Sequence, residues 1–151
     1  MSAYADTSFL VSLYTPDANS VQAARQMGHS RQTVLLTPFG ELELTNALEL
    51  RIFRKELTSS EVRAAHSAFR TDLESGVFSL KPMPATVYYR AKLIARKRTA
   101  HLGVRTLDIL HVASALALRA DTFYTFDRTQ GKLAQAEGLE TPWLAGIQGK
   151  E

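Results

Sequence analysis

Ala3-Tyr4-Ala5-Asp6-Thr7-Ser8-Phe9-Leu10-Val11-Ser12-Leu13-Tyr14 opens on an apolar run of strand length, meets an acid, and continues as a short helical pattern that Thr15-Pro16 interrupts. The handover from strand to acid to helix returns near the other end of the chain. There Thr122 to Phe126 reads as a strand, Asp127 follows, and a helix spans about Arg128 to Glu137 before Gly138.

Between these ends, strand-length runs alternate with longer helical patterns. Thr33 to Thr37 and Val77 to Leu80 read as strands, and Glu140 to Trp143 as a weak fifth. A helix from about Asn19 to Met27 precedes Gly28, and Pro38 sits in the first turn of a long helix through about Phe53, where its missing N–H costs nothing. Thr58-Ser59-Ser60-Glu61 has capping-box spacing and opens a helix to about Glu74, with Gly76 beyond it. These last two helices are expected to form a hairpin projecting from the sheet. Pro84 precedes a helix from Ala85 to about Thr99, and Leu107 to Leu118 is apolar nearly all round, the pattern of a helix buried on most sides. Such alternation predicts a three-layer α/β/α sandwich with a mainly parallel central sheet of about five strands. Residues 1–145 are expected to form one domain, with 146–151 as a frayed tail.

The 151 residues are 45% hydrophobic and 22% charged, a globular composition. No apolar stretch approaches the roughly 18 residues of a membrane span. Because the N-terminus reaches Asp6 without a basic region, it does not read as a signal peptide, and a cytoplasmic location is the default expectation. Absence of cysteine excludes disulfides, thiolate nucleophiles and cysteine-held metals. The four histidines, His29, His66, His101 and His111, lack the spacing of a zinc helix. From Ser75 to Leu107 there are seven basic residues and no acid, so this window carries +7 and, against a whole-chain charge of +3, the remainder carries −4. Such a tract suits a polyanion, although a solvated helix face reads the same way.

Each of four carboxylates has an ordinary explanation. Asp6 and Asp127 can cap the helices that follow them, Asp108 lies in a first turn favoured by the helix dipole, and Glu43 can face solvent. Together they mean more, because a parallel sheet gathers strand ends and helix starts along one edge, where ligands bind. Asp108 stands alone as a charge in a helix otherwise built for burial, and neighbouring carboxylates raise one another's pKa unless a cation neutralises them. An all-oxygen set prefers Mg²⁺ or Mn²⁺, ions that hydrolyse phosphodiesters by orienting water and neutralising the leaving oxygen.

At these residues the chain resembles the PIN domain family, and within it the small toxin ribonucleases of VapBC-type toxin–antitoxin pairs. The resemblance lies in Tyr4-Ala5-Asp6-Thr7-Ser8, in Glu43-Leu44-Thr45-Asn46-Ala47-Leu48, in the run from Arg105 through Asp108 to Leu116, and in Thr125-Phe126-Asp127. It implies an acidic quartet, Asp6, Glu43, Asp108 and Asp127, binding Mg²⁺ with Asp6 and Asp108 as the principal ligands. It further implies supporting hydroxyls from Thr7 or Ser8 and from Thr125, with Asn46 and Arg105 steadying the acids or facing the substrate. Glu41 rivals Glu43, but the two cannot both face inward on one helix. His111 reads chiefly as a satisfied core histidine, with a role in steadying a ligand as the alternative.

The implied activity is Mg²⁺-dependent endoribonuclease, the toxin of such a pair, a homodimer restrained by a cognate antitoxin protein. Arg51, Arg54, Lys55 and the Arg90 to Arg98 cluster would guide the RNA backbone, and Tyr88 and Tyr89 either stack on bases or pack. A housekeeping RNA-processing nuclease and a catalytically silent PIN-like module that binds RNA or protein are the alternatives. A phosphoaspartyl mechanism at Asp6 lacks its usual second acid, since Ser8 stands two positions on.

Overall fold

Ser2–Ala5 forms β1, whose short side chains and single tyrosine let helices approach both of its faces. A computed structural model of the chain describes residues 1–142. After β1 come α1 (Thr7–Tyr14), α2 (Ser20–His29), β2 (Thr33–Leu36), α3 (Pro38–Phe53), α4 (Ser59–Glu74) and β3 (Phe78–Leu80). The chain continues as α5 (Val87–Leu102), α6 (Thr106–Ala117), β4 (Thr122–Tyr124) and α7 (Arg128–Ala136).

The strands form one four-stranded sheet in the order β3-β2-β1-β4, with every pairing parallel. β1 is therefore central. The chain steps outward from β1 to β2 and β3, then returns to lay β4 on the other side of β1. That reversal makes the carboxyl ends of β1 and β4 a topological switch point, where the first crossovers leave in opposite directions and open a crevice.

Alternation along the strands splits the core into two layers. Ala3, Ala5, Val34, Leu36, Phe78 and Tyr124 meet α1 to α4, while Tyr4, Leu35 and Phe123 meet α5 to α7. The helical hairpin of α3 and α4 lies on the sheet, correcting the projecting arrangement read from the sequence. Leu44 and Leu48 on one arm and Val62, Ala65 and Phe69 on the other are all buried in the first layer.

The fifth strand is absent among the described residues. Glu140 makes a single parallel bridge to Thr122, and Pro142, lacking an N–H, cannot extend it. Trp143 and the tail at 146–151 lie outside the described residues. Gly28 also fails to stop α2, which runs on to His29, and α5 starts at Val87 because Pro84 to Thr86 form a turn closed by Val87 N–H to Pro84 O at 3.0 Å.

No helix among the described residues is long and apolar enough to cross a membrane.

Candidate active site

Asp6 leaves the end of β1 with its backbone N–H still bonded to Tyr124 O at 3.1 Å, so sheet pairing fixes where its side chain starts. It then caps α1. Oδ1 accepts from Phe9 N at 2.9 Å and from the Ser8 hydroxyl at 2.7 Å, while Oδ2 accepts from the Thr125 hydroxyl at 2.5 Å. The residue is fully buried. Burial pushes its pKa up to about 6 from an ordinary 3.8, although His111 and the three donors pull the other way.

Thr125 joins the two strand ends. Its oxygen lies 3.2 Å from Ser8 Oγ and accepts from Asp127 N at 3.0 Å, and Ser8 Oγ accepts from Phe126 N at 3.0 Å. Asp127 is exposed and caps α7, its Oδ1 accepting from Gln130 N at 2.9 Å. The capping roles read for Asp6 and Asp127 are thus real, and they orient both carboxylates at the crevice.

Glu43 comes from the second turn of α3, which starts at the carboxyl end of β2 behind the buried N-cap Thr37. Its Oε1 accepts from the Thr7 hydroxyl at 2.9 Å and pairs with His111 Nε2. Partial burial raises the Glu43 pKa, but the His111 and Thr7 bonds outweigh it and the net shift is downward. His111 is buried on α6, with Nδ1 2.8 Å from the Tyr4 hydroxyl. Burial raises the Tyr4 phenol well above its usual range.

Asp108, at the third position of α6, accepts a long bond from Arg105 N at 3.4 Å. Its pKa is raised, first by partial burial and further by the charges of Asp127 and Glu43, against the Arg105 bond and His111. The side-chain amide of buried Gln130 donates to Asp108 O at 3.3 Å and ties α7 to the start of α6.

Asp6, Thr7, Ser8, Glu43, Asp108, Thr125 and Asp127 are thereby brought to one edge. Asn46 is not: it is exposed and makes no side-chain hydrogen bond among the described residues. Arg105 offers the cluster its backbone N–H, and its side chain is exposed. Glu41 lines a separate groove between α3 and α4, beside Arg63 and His66. The sequence reading left open the part His111 plays. A signal was present, since residues three apart share a helix face and His111 follows Asp108 by three.

The donors left free are hydroxyl and carboxylate oxygens, because both nitrogens of His111 are engaged. This chemistry fits a hard divalent ion. Among the described residues no group of three or more His, Asp or Glu side chains is already placed to hold one. Asp108 stands near enough to Asp127 and Glu43 for their charges to raise its pKa, beyond the rise that burial causes.

A cleft of about 400 Å³ reaches Asp127, lined also by Ser8, Asn19, Arg51 and Arg54. Arg51 is paired with Glu56 at 3.1 Å, and Arg98, within the basic tract, with Glu137 at 2.9 Å. Arg90, Lys92, Arg96 and Lys97 remain exposed along α5, as do Tyr88 and Tyr89.

Fold and site together define a doubly wound α/β domain with an acidic crevice at its switch point. The chain belongs to the PIN domain family, whose pattern matches residues 3–136. PIN nucleases generally use divalent metals. Solved structures of similar fold include VapC20 of Mycobacterium tuberculosis, a sarcin-ricin loop cleaving toxin. It is 21% identical, with a TM-score of 0.70 over 92% of this chain and 98% of that one. FitAcB of Neisseria gonorrhoeae is 18% identical with a TM-score of 0.68, covering 93% and 98% of the two chains. A toxin-antitoxin complex from Klebsiella pneumoniae is 15% identical with a TM-score of 0.57, covering 93% and 98%. At these identities the likeness is one of fold. No curated protein matches the sequence.

Proposed function

We propose that this chain is a metal-dependent endoribonuclease hydrolysing RNA phosphodiester bonds, the toxin of a VapBC-type pair. What supports the reading is that Asp6, Glu43, Asp108 and Asp127, from four different elements, lie along the carboxyl-end edge of a PIN domain's sheet, with the charges of Glu43 and Asp127 felt at Asp108. Mg²⁺, with Mn²⁺ as a substitute, would be held by these carboxylates, Asp6 and Asp108 foremost. When bound, it supplies a water oriented for in-line attack and charge neutralisation at the leaving oxygen. Ser8 and Thr125 hold Asp6, Thr7 and His111 hold Glu43, and Asp108, its pKa raised first by burial and then by the charges of Asp127 and Glu43, is an acid whose ionised form a cation would favour. Arg54 in the adjoining cleft and the cations of α5 would draw in the RNA backbone without choosing its sequence.

Asp6→Asn and Asp108→Asn, each purified and shown to be folded, are expected to lose Mg²⁺-dependent cleavage of RNA. Cleavage that survives in both removes the assignment. The wider reading places residues 1–145 in one nuclease domain with 146–151 as its tail, in a cytoplasmic homodimer silenced by a cognate antitoxin. Structures of similar fold occur in toxin-antitoxin complexes, which supports such a partner. Relief of growth arrest by a short neighbouring reading frame separates the toxin from a housekeeping RNA-processing nuclease.

A catalytically silent module is the second reading, favoured by the capping roles that already occupy Asp6 and Asp127. Calorimetric titration with Mg²⁺ decides between them, since the silent module gives no heat that depends on Asp108. Phosphoaspartyl chemistry at Asp6 lacks its usual second acid, since Ser8 stands two positions on and its hydroxyl donates to Asp6 at 2.7 Å.

A further inference from the structure

We propose that Tyr4 and His111 are positioning residues: the imidazole, itself held by the Tyr4 hydroxyl, pins Oε1 of Glu43 so that Oε2 is presented to the acidic crevice. This deepens the nuclease reading and rests on it.

Hydrogen-bond inventory fixes the direction at the carboxylate end of the relay. A carboxylate only accepts, so His111 Nε2 carries the hydrogen shared with Glu43 Oε1 whatever the charge of the ring. At Nδ1 the Tyr4 hydroxyl, 2.8 Å away and 107 residues distant in sequence, donates to a neutral ring and accepts from a charged one, so the contact holds the imidazole in either state. Thr7 adds a second donor to the same oxygen at 2.9 Å. Oε1 is thus taken twice, while Oε2 accepts no hydrogen bond among the described residues.

The ring has little room to turn. Tyr4 meets it edge-on at 5.7 Å between centroids, and Phe39 lies at 4.7 Å. Gly40 lies beside the pair: a Cβ built there would stand 3.8 Å from both His111 Cε1 and the Tyr4 hydroxyl, in ordinary van der Waals contact. Tyr4 in turn stacks on Phe123 of β4, centroids 5.6 Å apart, so the relay is anchored in the central strands. A glutamate on a helix surface otherwise samples several rotamers, and holding one oxygen removes that freedom before any cation arrives.

A histidine that merely fills the core would serve stability alone, so the test reads more than stability. Wild type, Glu43→Gln, His111→Ala, His111→Gln and Tyr4→Phe are titrated with Mn²⁺ by calorimetry, assayed for kcat and KM on one RNA, and melted. His111→Ala is expected to weaken Mn²⁺ binding by about 10- to 100-fold and to lower kcat with KM for RNA unchanged. His111→Gln, whose amide can donate to Glu43, is expected to recover most of the loss, and Tyr4→Phe to fall between. In the Glu43→Gln background, His111→Ala should add nothing. Wild-type Mn²⁺ affinity in His111→Ala overturns the relay, as does a folded His111→Gln that binds no better than Glu43→Gln. Should His111→Ala fail to fold, the Gln and Phe variants decide alone. A wild type that neither binds Mn²⁺ nor cleaves RNA fells the nuclease reading itself, a result distinct from the others.

Discussion

Holding an ionised carboxylate away from water is costly, and Asp6 is held that way at the centre of the crevice. Its folded pKa, about 6, lies above the ordinary 3.8, so the folded state binds the proton more tightly than the unfolded chain does. The penalty is absent below about pH 4, grows as pH rises through 6, and is complete by neutrality. Asp6→Asn is therefore expected to stabilise the metal-free protein at pH 7 by about 1–3 kcal/mol, and the gain to shrink toward pH 4. Asn keeps one acceptor for Phe9 N–H and Ser8, and the Thr125 hydroxyl can turn to accept from its amide. Thermal melts of both proteins across pH check the sign. Added Mg²⁺ should raise the melting temperature of the wild type and leave Asp6→Asn nearly unmoved. Three of the acids were legible locally, Asp6, Asp108 and Asp127 standing at strand or helix ends, whereas Glu43 lies in a second helical turn with no cap to mark it. The Glu43–His111 pair was not, since its partners are 68 residues apart and only packing brings them together.

Among the elements, helix ends were the most readable, because a cap is written in a few adjacent residues. Thr58 and Glu61 exchange reciprocal bonds of 3.1 Å at the start of α4, as their spacing predicts. Thr58→Ala is expected to cost about 1 kcal/mol in urea denaturation while leaving RNA cleavage per folded molecule unchanged. Gly103, at φ 64, ends α5 and starts the turn that delivers Asp108. Gly103→Ala should also cost about 1 kcal/mol, and here the loss is expected to be joined by weaker metal binding, as the start of α6 shifts. Strands were read less well. Glu140 to Trp143 has strand-like length, but ladder pairing depends on a distant neighbour and on available N–H groups, which Pro142 denies. Likewise the hairpin of α3 and α4 looked free-standing until Phe69 found Phe78 and Tyr14, at 5.9 and 5.5 Å between ring centroids.

For the molecule as a whole, alternation of strands and helices announced a parallel sheet, whereas the order β3-β2-β1-β4 had no local signature. Charge distribution was readable in the same coarse way. The basic tract survives as an exposed face of α5, less Arg98, which is spent on Glu137. Replacing Arg96 and Lys97 together by alanine is expected to weaken RNA binding about equally for every sequence tested. It should also lower the slope of log affinity against log salt by about one for each phosphate no longer neutralised, measured by filter binding.

The pairing of Ala3 to Ala5 with Thr122 to Tyr124 carries one more consequence. On the ribosome, the first of these segments emerges more than a hundred residues before the second, so a nascent chain that has reached only α4 holds Asp6 and Glu43 without Asp108, Thr125 or Asp127. On the proposed function, no site able to cut RNA can assemble before β4 has left the ribosome, because Asp108, Thr125 and Asp127 emerge with it or just around it.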